Sequence, residues 1–176
     1  VWEGLVDAAS VGVFARNELV LIVPADAEGA PAGFAEVAAE GVQRLAIGEP
    51  RTVPAGAYAQ QVLERLGFAE QVKARLVYGT NVRQVLSYVE RGEVSAGIVY
   101  RTDAVASGEQ VRIVEAAQAE WHEAIEYPAG TVTGSQNREG AEAFLEFLGS
   151  DRARAVLKRH GFALPHESGR GAAALP

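Results

Sequence analysis

Cysteine and methionine are both missing from this chain of 176 residues. Without cysteine there is no disulfide, no thiolate nucleophile and no cysteine-based metal site. That absence fits an exported protein as well as a cytosolic one. With no Met even at position 1, the chain is expected to be processed or to be part of something longer. Basic runs are lacking too. The 16 Lys and Arg are scattered and are outnumbered by 23 Asp and Glu, for a net charge of -7. Such a chain is a poor partner for nucleic acid or an anionic membrane face. No apolar run reaches the roughly 20 residues that span a bilayer, and no leader peptide is recognisable. There is no Gly-x-Ser-x-Gly elbow, no Walker loop and no dinucleotide fingerprint. No constellation of catalytic residues stands out, and no enzyme activity is expected.

What remains is a globular composition, 48% apolar, long enough for one domain or two small lobes. Glu18 to Val23 is a continuous apolar run of strand length, stopped by Pro24. Arg44 to Ile47, Leu76 to Tyr78, Ser95 to Tyr100, Val111 to Val114 and Ala124 to Tyr127 read as further strands. Ala55, Tyr58, Ala59, Val62, Leu63 and Leu66 form one helical stripe, opened by Pro54 and closed by Gly67. Val82, Val85, Leu86 and Val89 form a second, closed by Gly92. Short helices are expected at Phe34 to Ala39 and at Glu70 to Arg75. Ala141, Phe144, Leu145 and Leu148 stripe a penultimate helix; Ala153, Val156 and Leu157 stripe the last, stopped by Gly161. Val1 to Ala9 reads as the tail of a helix, with Trp2, Leu5 and Val6 on one side, and His166 to Pro176 reads as a mobile tail. Strands alternating with helices predict an α/β layer fold with a mostly parallel sheet and helices on both faces.

In such sheets ligands bind at the carboxyl ends of strands, where the next helices begin. Two helix starts, Val53-Pro54-Ala55-Gly56 and Thr80-Asn81-Val82, directly follow strands, and Tyr100 closes a third. A helix start exposes unpaired N–H groups and partial positive charge, which suits a small oxyanion. Each feature has a plainer reading. Most helix starts bind only water, Asn81 can be a simple cap, and Tyr100 can be a half-buried strand aromatic. Glu115, Glu120, Glu123 and Glu126 read as a solvated acidic face. His122 reads as a surface-loop residue, because a metal site needs a fuller ligand set; none is expected. His160 at a helix end suits the helix dipole.

Several segments together resemble the molybdate-binding proteins that feed ABC importers. They are Phe14 to Pro24, Ala46 to Pro50, Val53 to Ala59, Asn81 to Leu86, Ala96 to Ala104, Tyr127-Pro128 and Arg159 to Phe162. The resemblance implies a two-lobed, type II periplasmic-binding-protein-like fold that holds its oxyanion in a cleft. It implies that Ala55 and Val82 give backbone N–H groups and that Tyr100 gives its hydroxyl. It places 18–127 in the second lobe, with 1–17 a remnant of the first lobe and the crossover. Residues 128–165 would be a return strand and the C-terminal helices of the first lobe, and 166–176 a tail. The family's N-terminal segment has no counterpart, so the first lobe is expected to be largely absent. Ala129-Gly130 departs from the larger apolar residues usual there. The resemblance further implies a molybdate or tungstate ligand, no cofactor, a membrane permease as partner and a place outside the cytoplasmic membrane. With that first lobe missing, the stripes of Phe144, Leu145, Leu148, Val156 and Leu157 are expected to drive self-association. The alternatives are the effector domain of a transcription regulator with this architecture, or a binder of another oxyanion such as sulfate.

Overall fold

A computed structural model describes residues 4–165. The chain divides into two compact units. One comprises Asn17–Ile125 and His160–Phe162; the other contains the segments before and after these, including Glu126–Arg159.

The larger unit is built on a five-stranded sheet. Its strands are β2 (Leu19–Pro24), β3 (Leu45–Gly48), β4 (Leu76–Gly79), β5 (Ala96–Tyr100) and β6 (Val111–Ala116), in the order β4-β3-β5-β2-β6. β3 runs parallel to β4 and β5, but β2 is antiparallel to both β5 and β6. The sheet is therefore mixed and not mostly parallel. The unbroken apolar run of β2 reports burial on both faces, which is common in parallel sheets but does not itself set strand direction. Residues Leu19 to Val23 are all fully buried.

Helices cover both faces. Val20, Ile22, Ala46 and Val99 share an apolar cluster with Val85 and Val89 of α3 (Val82–Glu90) and Ala104 of α4 (Arg101–Ser107). The alternate residues Leu19, Leu21, Leu45, Ile47 and Ile98 face the other way and are equally buried. There α1 (Pro54–Arg65) packs on β3 and β5 through Ala55, Ala59, Val62 and Leu63. The predicted helix at Glu70 to Arg75 is one short α-turn, α2 (Ala69–Val72), followed by a 3-10 turn, and Phe34 to Ala39 yields only a 3-10 turn, Phe34–Glu36. Helix α4 had no periodic signal: it buries only Ala104.

The smaller unit pairs β1 (Gly12–Asn17) with β7 (Ile125–Ala129) and carries α5 (Arg138–Leu148) and α6 (Asp151–Arg159). The expected helix over Val1 to Ala9 is not there in residues 4–9. Gly4 takes a left-handed φ of 73°, Val6 bridges to Val132, and the Asp7 carboxylate caps a 3-10 turn at Ala8–Ser10. Local capping and a turn override three apolar residues at helical spacing. Trp2 and the tail from His166 onward lie outside the described residues.

Candidate functional site

Because β3, β4 and β5 are mutually parallel, their carboxyl ends lie at one edge of the sheet. Gly48 and Gly79 pair directly at that edge, and Tyr100 ends β5 on the other flank of β3. Helices α1 and α3 start just beyond. The Glu49 N–H donates to the Gly79 carbonyl at 2.9 Å, tying the two loops together. Glycines let the helix starts sit close to the strands. A Cβ on Gly56 would lie 2.0 Å from the Gly48 carbonyl oxygen, and one on Gly79 would lie 3.2 Å from the Val85 nitrogen.

The first turn of α1 shows why its local sequence leaves one donor over. Val53, the N-cap, offers no side-chain acceptor, and Pro54 has no N–H. The Gly56 and Ala57 N–H groups both donate to the Val53 carbonyl, at 2.9 and 3.1 Å. The Ala55 N–H has no partner among the described residues, and Ala55 is only 1% exposed. A buried amide without an acceptor costs about 1–3 kcal/mol, so few folds tolerate one.

The start of α3 is capped differently. Asn81 Oδ1 accepts the Gln84 N–H at 2.9 Å, and Gln84 Oε1 accepts the Thr80 N–H at 2.6 Å. This is a variant of the reciprocal capping box. It satisfies the flanking amides and leaves the Val82 N–H, at the first helical position, out of both bonds. Asn81→Ala should lower stability by about 1 kcal/mol, read as a shift in the urea midpoint. An unchanged midpoint would mean that the cap contributes nothing.

Tyr100 is half-buried, opposite Leu19 and on the same sheet face as Ile98. It is also the N-cap of α4, whose start is held from several sides. The Arg101 N–H donates to the Glu18 carbonyl at 2.8 Å, and the Arg101 guanidinium pairs with the Glu18 carboxylate. Asn17 Nδ2 donates to Thr102 Oγ1 at 3.0 Å. The Asp103 carboxylate accepts the Tyr100 backbone N–H. Burial pushes the Asp103 carboxyl above the usual carboxylate range, while the Arg83 charge and the Tyr100 N–H pull the other way. A raised folded-state pKa means that the folded chain binds the proton more tightly than the unfolded one. Its stabilising effect is thus full below the ordinary carboxylate range and is lost as pH rises through the raised value.

Three groups named from the sequence, the Ala55 N–H, the Val82 N–H and Tyr100, therefore belong to one unit and one sheet edge. The arrangement offers neutral donors on two helix starts, a setting that suits an anion. Another sequence reading needs correction. Of the four glutamates, Glu120, Glu123 and Glu126 are exposed, but Glu115 is only partly so, because its Oε2 accepts the Phe34 N–H at 2.7 Å. His122 does lie in a loop, half-buried, and its ring meets that of Tyr58 with centroids 6.0 Å apart. No group of three His, Asp or Glu suited to a metal ion occurs among the described residues.

A mixed α/β unit with ligand-suited helix starts at one sheet edge is the architecture of solute-binding proteins. The model for bacterial extracellular solute-binding proteins matches residues 1–163, and the chain belongs to that family. It is 44% identical over 146 residues to a Bacillus subtilis protein provisionally named as the ABC transporter substrate-binding lipoprotein YvgL, covering 83% of this chain and 55% of that protein. It is 40% identical over 153 residues to the molybdate-binding protein ModA of Haemophilus influenzae, covering 85% of this chain and 59% of ModA. Among solved structures, the substrate-binding domain of a provisionally assigned molybdenum ABC transporter from Clostridium difficile superposes with a TM-score of 0.86 at 31% identity. That match covers 93% of this chain and 70% of the other. The fold is thus of the periplasmic-binding-protein kind. The chain spans somewhat more than half the length of the curated relatives it matches, 55% and 59%.

Proposed function

We propose that this chain captures molybdate or tungstate for delivery to an ABC importer. The observation that carries the reading is the Ala55 N–H, buried at a helix start and without an acceptor among the described residues. The Val82 N–H and the Tyr100 hydroxyl complete the set of donors on this unit. Helix ends give positive potential without a charged side chain that would have to lose its water. Net charge of -7 is then no obstacle, because distant surface charge is screened over about 8–10 Å while the amides touch the ligand. Two relatives, named for molybdate and for molybdenum transport, favour molybdate over sulfate. The role is binding without catalysis. We place it outside the cytoplasmic membrane, with a membrane permease as partner, in keeping with the lipoprotein name of the Bacillus relative. No helix among the described residues is long and apolar enough to cross a membrane. Residues 18–127 are read as the second lobe, with 1–17 and 128–165 belonging to the first. A thermal-shift series with molybdate, tungstate and sulfate tests the ligand. In the intact protein, with whatever sequence flanks these residues, stabilisation by the first two at concentrations where sulfate has no effect is expected. Residues 1–176 alone should shift little, because they offer one wall of donors. Equal shifts with all three in the intact protein would defeat the assignment.

The smaller unit supports a second partner prediction. Helix α5 has no buried residue; Phe144 and Phe147 are 58% and 43% exposed and stack on each other at 6.3 Å. Val156 of α6 is 43% exposed. Covering such side chains is worth about 1.5–3 kcal/mol each, so we expect this chain to associate with a second copy through this face. Light scattering over a concentration series should show a mass rising above 18.6 kDa, and Phe144→Ser with Phe147→Ser should abolish the rise. A constant monomer mass at all concentrations would rule this out.

A further inference from the structure

Of the three proposed donors, only Tyr100 uses a side chain, so its aim depends on one turn of backbone. Tyr100 is extended, with φ -72° and ψ 147°, and Arg101 opens α4 directly after it. Little else fixes that helix. It is seven residues long, buries only Ala104 and has no side-chain cap hydrogen bond from Tyr100. A short helix with so little apolar burial tends to fray at its first turn. The bonds that hold it come from the turn between β1 and β2, 83 and 85 residues earlier in the chain. Asn17 is only 5% exposed and works in two directions. Its Nδ2 donates to Thr102 Oγ1 at 3.0 Å, and its Oδ1 accepts the Glu18 N–H at 3.0 Å. Glu18 in turn holds Arg101 twice. Its carbonyl accepts the Arg101 N–H at 2.8 Å, and its carboxylate pairs with the guanidinium. Gly161, with a φ of 87°, lies close against the same turn: a Cβ there would stand 3.3 Å from the Arg101 carbonyl oxygen and from Thr102 Cα. A turn that only joined β1 to β2 would need none of the bonds to α4.

We infer that Asn17 and Glu18 are positioning residues of the oxyanion site: through Thr102 and Arg101 they fix the first turn of α4, and with it the direction of the Tyr100 hydroxyl. The inference rests on the reading of Tyr100 as a donor. A hydrogen bond weakens steeply as it departs from its preferred distance and angle. Loosening this turn therefore costs affinity even though Tyr100 itself is untouched.

Calorimetric titration with sodium molybdate tests this in the intact protein, with whatever sequence flanks these residues. Thr102→Val keeps the shape of the side chain but removes the acceptor for Asn17 Nδ2. Glu18→Ala removes the partner of the Arg101 guanidinium. Each should weaken binding about threefold to tenfold. Thr102→Ser keeps the hydroxyl and should stay within about twofold of the parent. So should Glu18→Gln, which loses the same charge as Glu18→Ala but still offers an oxygen to Arg101. In the Tyr100→Phe background the losses from Thr102→Val and Glu18→Ala should shrink to less than about twofold, because no hydroxyl is left to misdirect. A purely structural role predicts the same loss in both backgrounds, and that result overturns the inference. So does unchanged affinity in Thr102→Val and Glu18→Ala when Tyr100→Phe, measured alongside, still weakens binding. If Tyr100→Phe is itself without effect, the donor assignment fails and the inference falls with it. Should circular dichroism show Thr102→Val unfolded, Glu18→Ala decides alone: weakening that needs the Tyr100 hydroxyl supports the inference, and equal weakening without it refutes it.

Discussion

Replacing Gly56 by alanine should destabilise the larger unit by about 1–3 kcal/mol or more. Helix propensity argues the other way, since alanine is about 1 kcal/mol better than glycine inside a helix. The close approach decides the sign. An added Cβ would stand 2.0 Å from the Gly48 carbonyl oxygen and 2.4 Å from its carbon. Both are backbone atoms of β3, so no side-chain rotation relieves the clash. Either α1 lifts from the sheet or β3 bends, and both forfeit packing of Ala55, Ala59, Val62 and Leu63. The same movement displaces the Ala55 N–H, so affinity for the anion should fall with stability. Urea melts and titrations on one preparation would show both losses. A Gly56→Ala protein as stable as the parent would mean that α1 does not start against β3.

Tyr100→Phe should leave the fold intact and weaken molybdate binding roughly ten- to more than a hundredfold. The substitution removes one hydrogen bond to a charged acceptor, worth about 1.5–3 kcal/mol. The ring remains, so whatever packing it makes at the end of β5, opposite Leu19, is kept. The backbone of Tyr100, which caps α4, is unchanged by the substitution. Calorimetry should therefore show a changed dissociation constant with an unchanged melting temperature in the absence of ligand. An unchanged dissociation constant would remove the hydroxyl from the site.

The elements that were legible in the sequence are those whose burial is one-sided or total. The stripe from Ala55 to Leu63 in α1 follows helical spacing because one face meets the sheet. Leu19 to Val23 stands out because both faces of β2 are covered. Direction was not legible, since an apolar run looks the same in parallel and antiparallel neighbours; only the pairing of β2 with β5 and β6 reveals the mixed sheet. Helix α4 escaped notice because Ala104 is its one buried residue and its start is held by polar bonds from Asn17, Glu18 and Asp103. The two helix starts could be read from Pro54 and Asn81, which act locally. That Gly48 and Gly56 nearly touch could not, because the contact joins a strand to a helix across a loop.

Anomalous diffraction from crystals grown with tungstate would locate the bound anion, because the tungsten atom marks it without assumption. A single strong peak is expected at the carboxyl edge of β3, β4 and β5. Tungstate oxygens should lie about 2.7–3.2 Å from the nitrogens of Ala55 and Val82 and within hydrogen-bond reach of the Tyr100 hydroxyl. An ordered tungstate elsewhere on the chain, with the Ala55 and Val82 amides turned to other acceptors, would contradict the donor assignment.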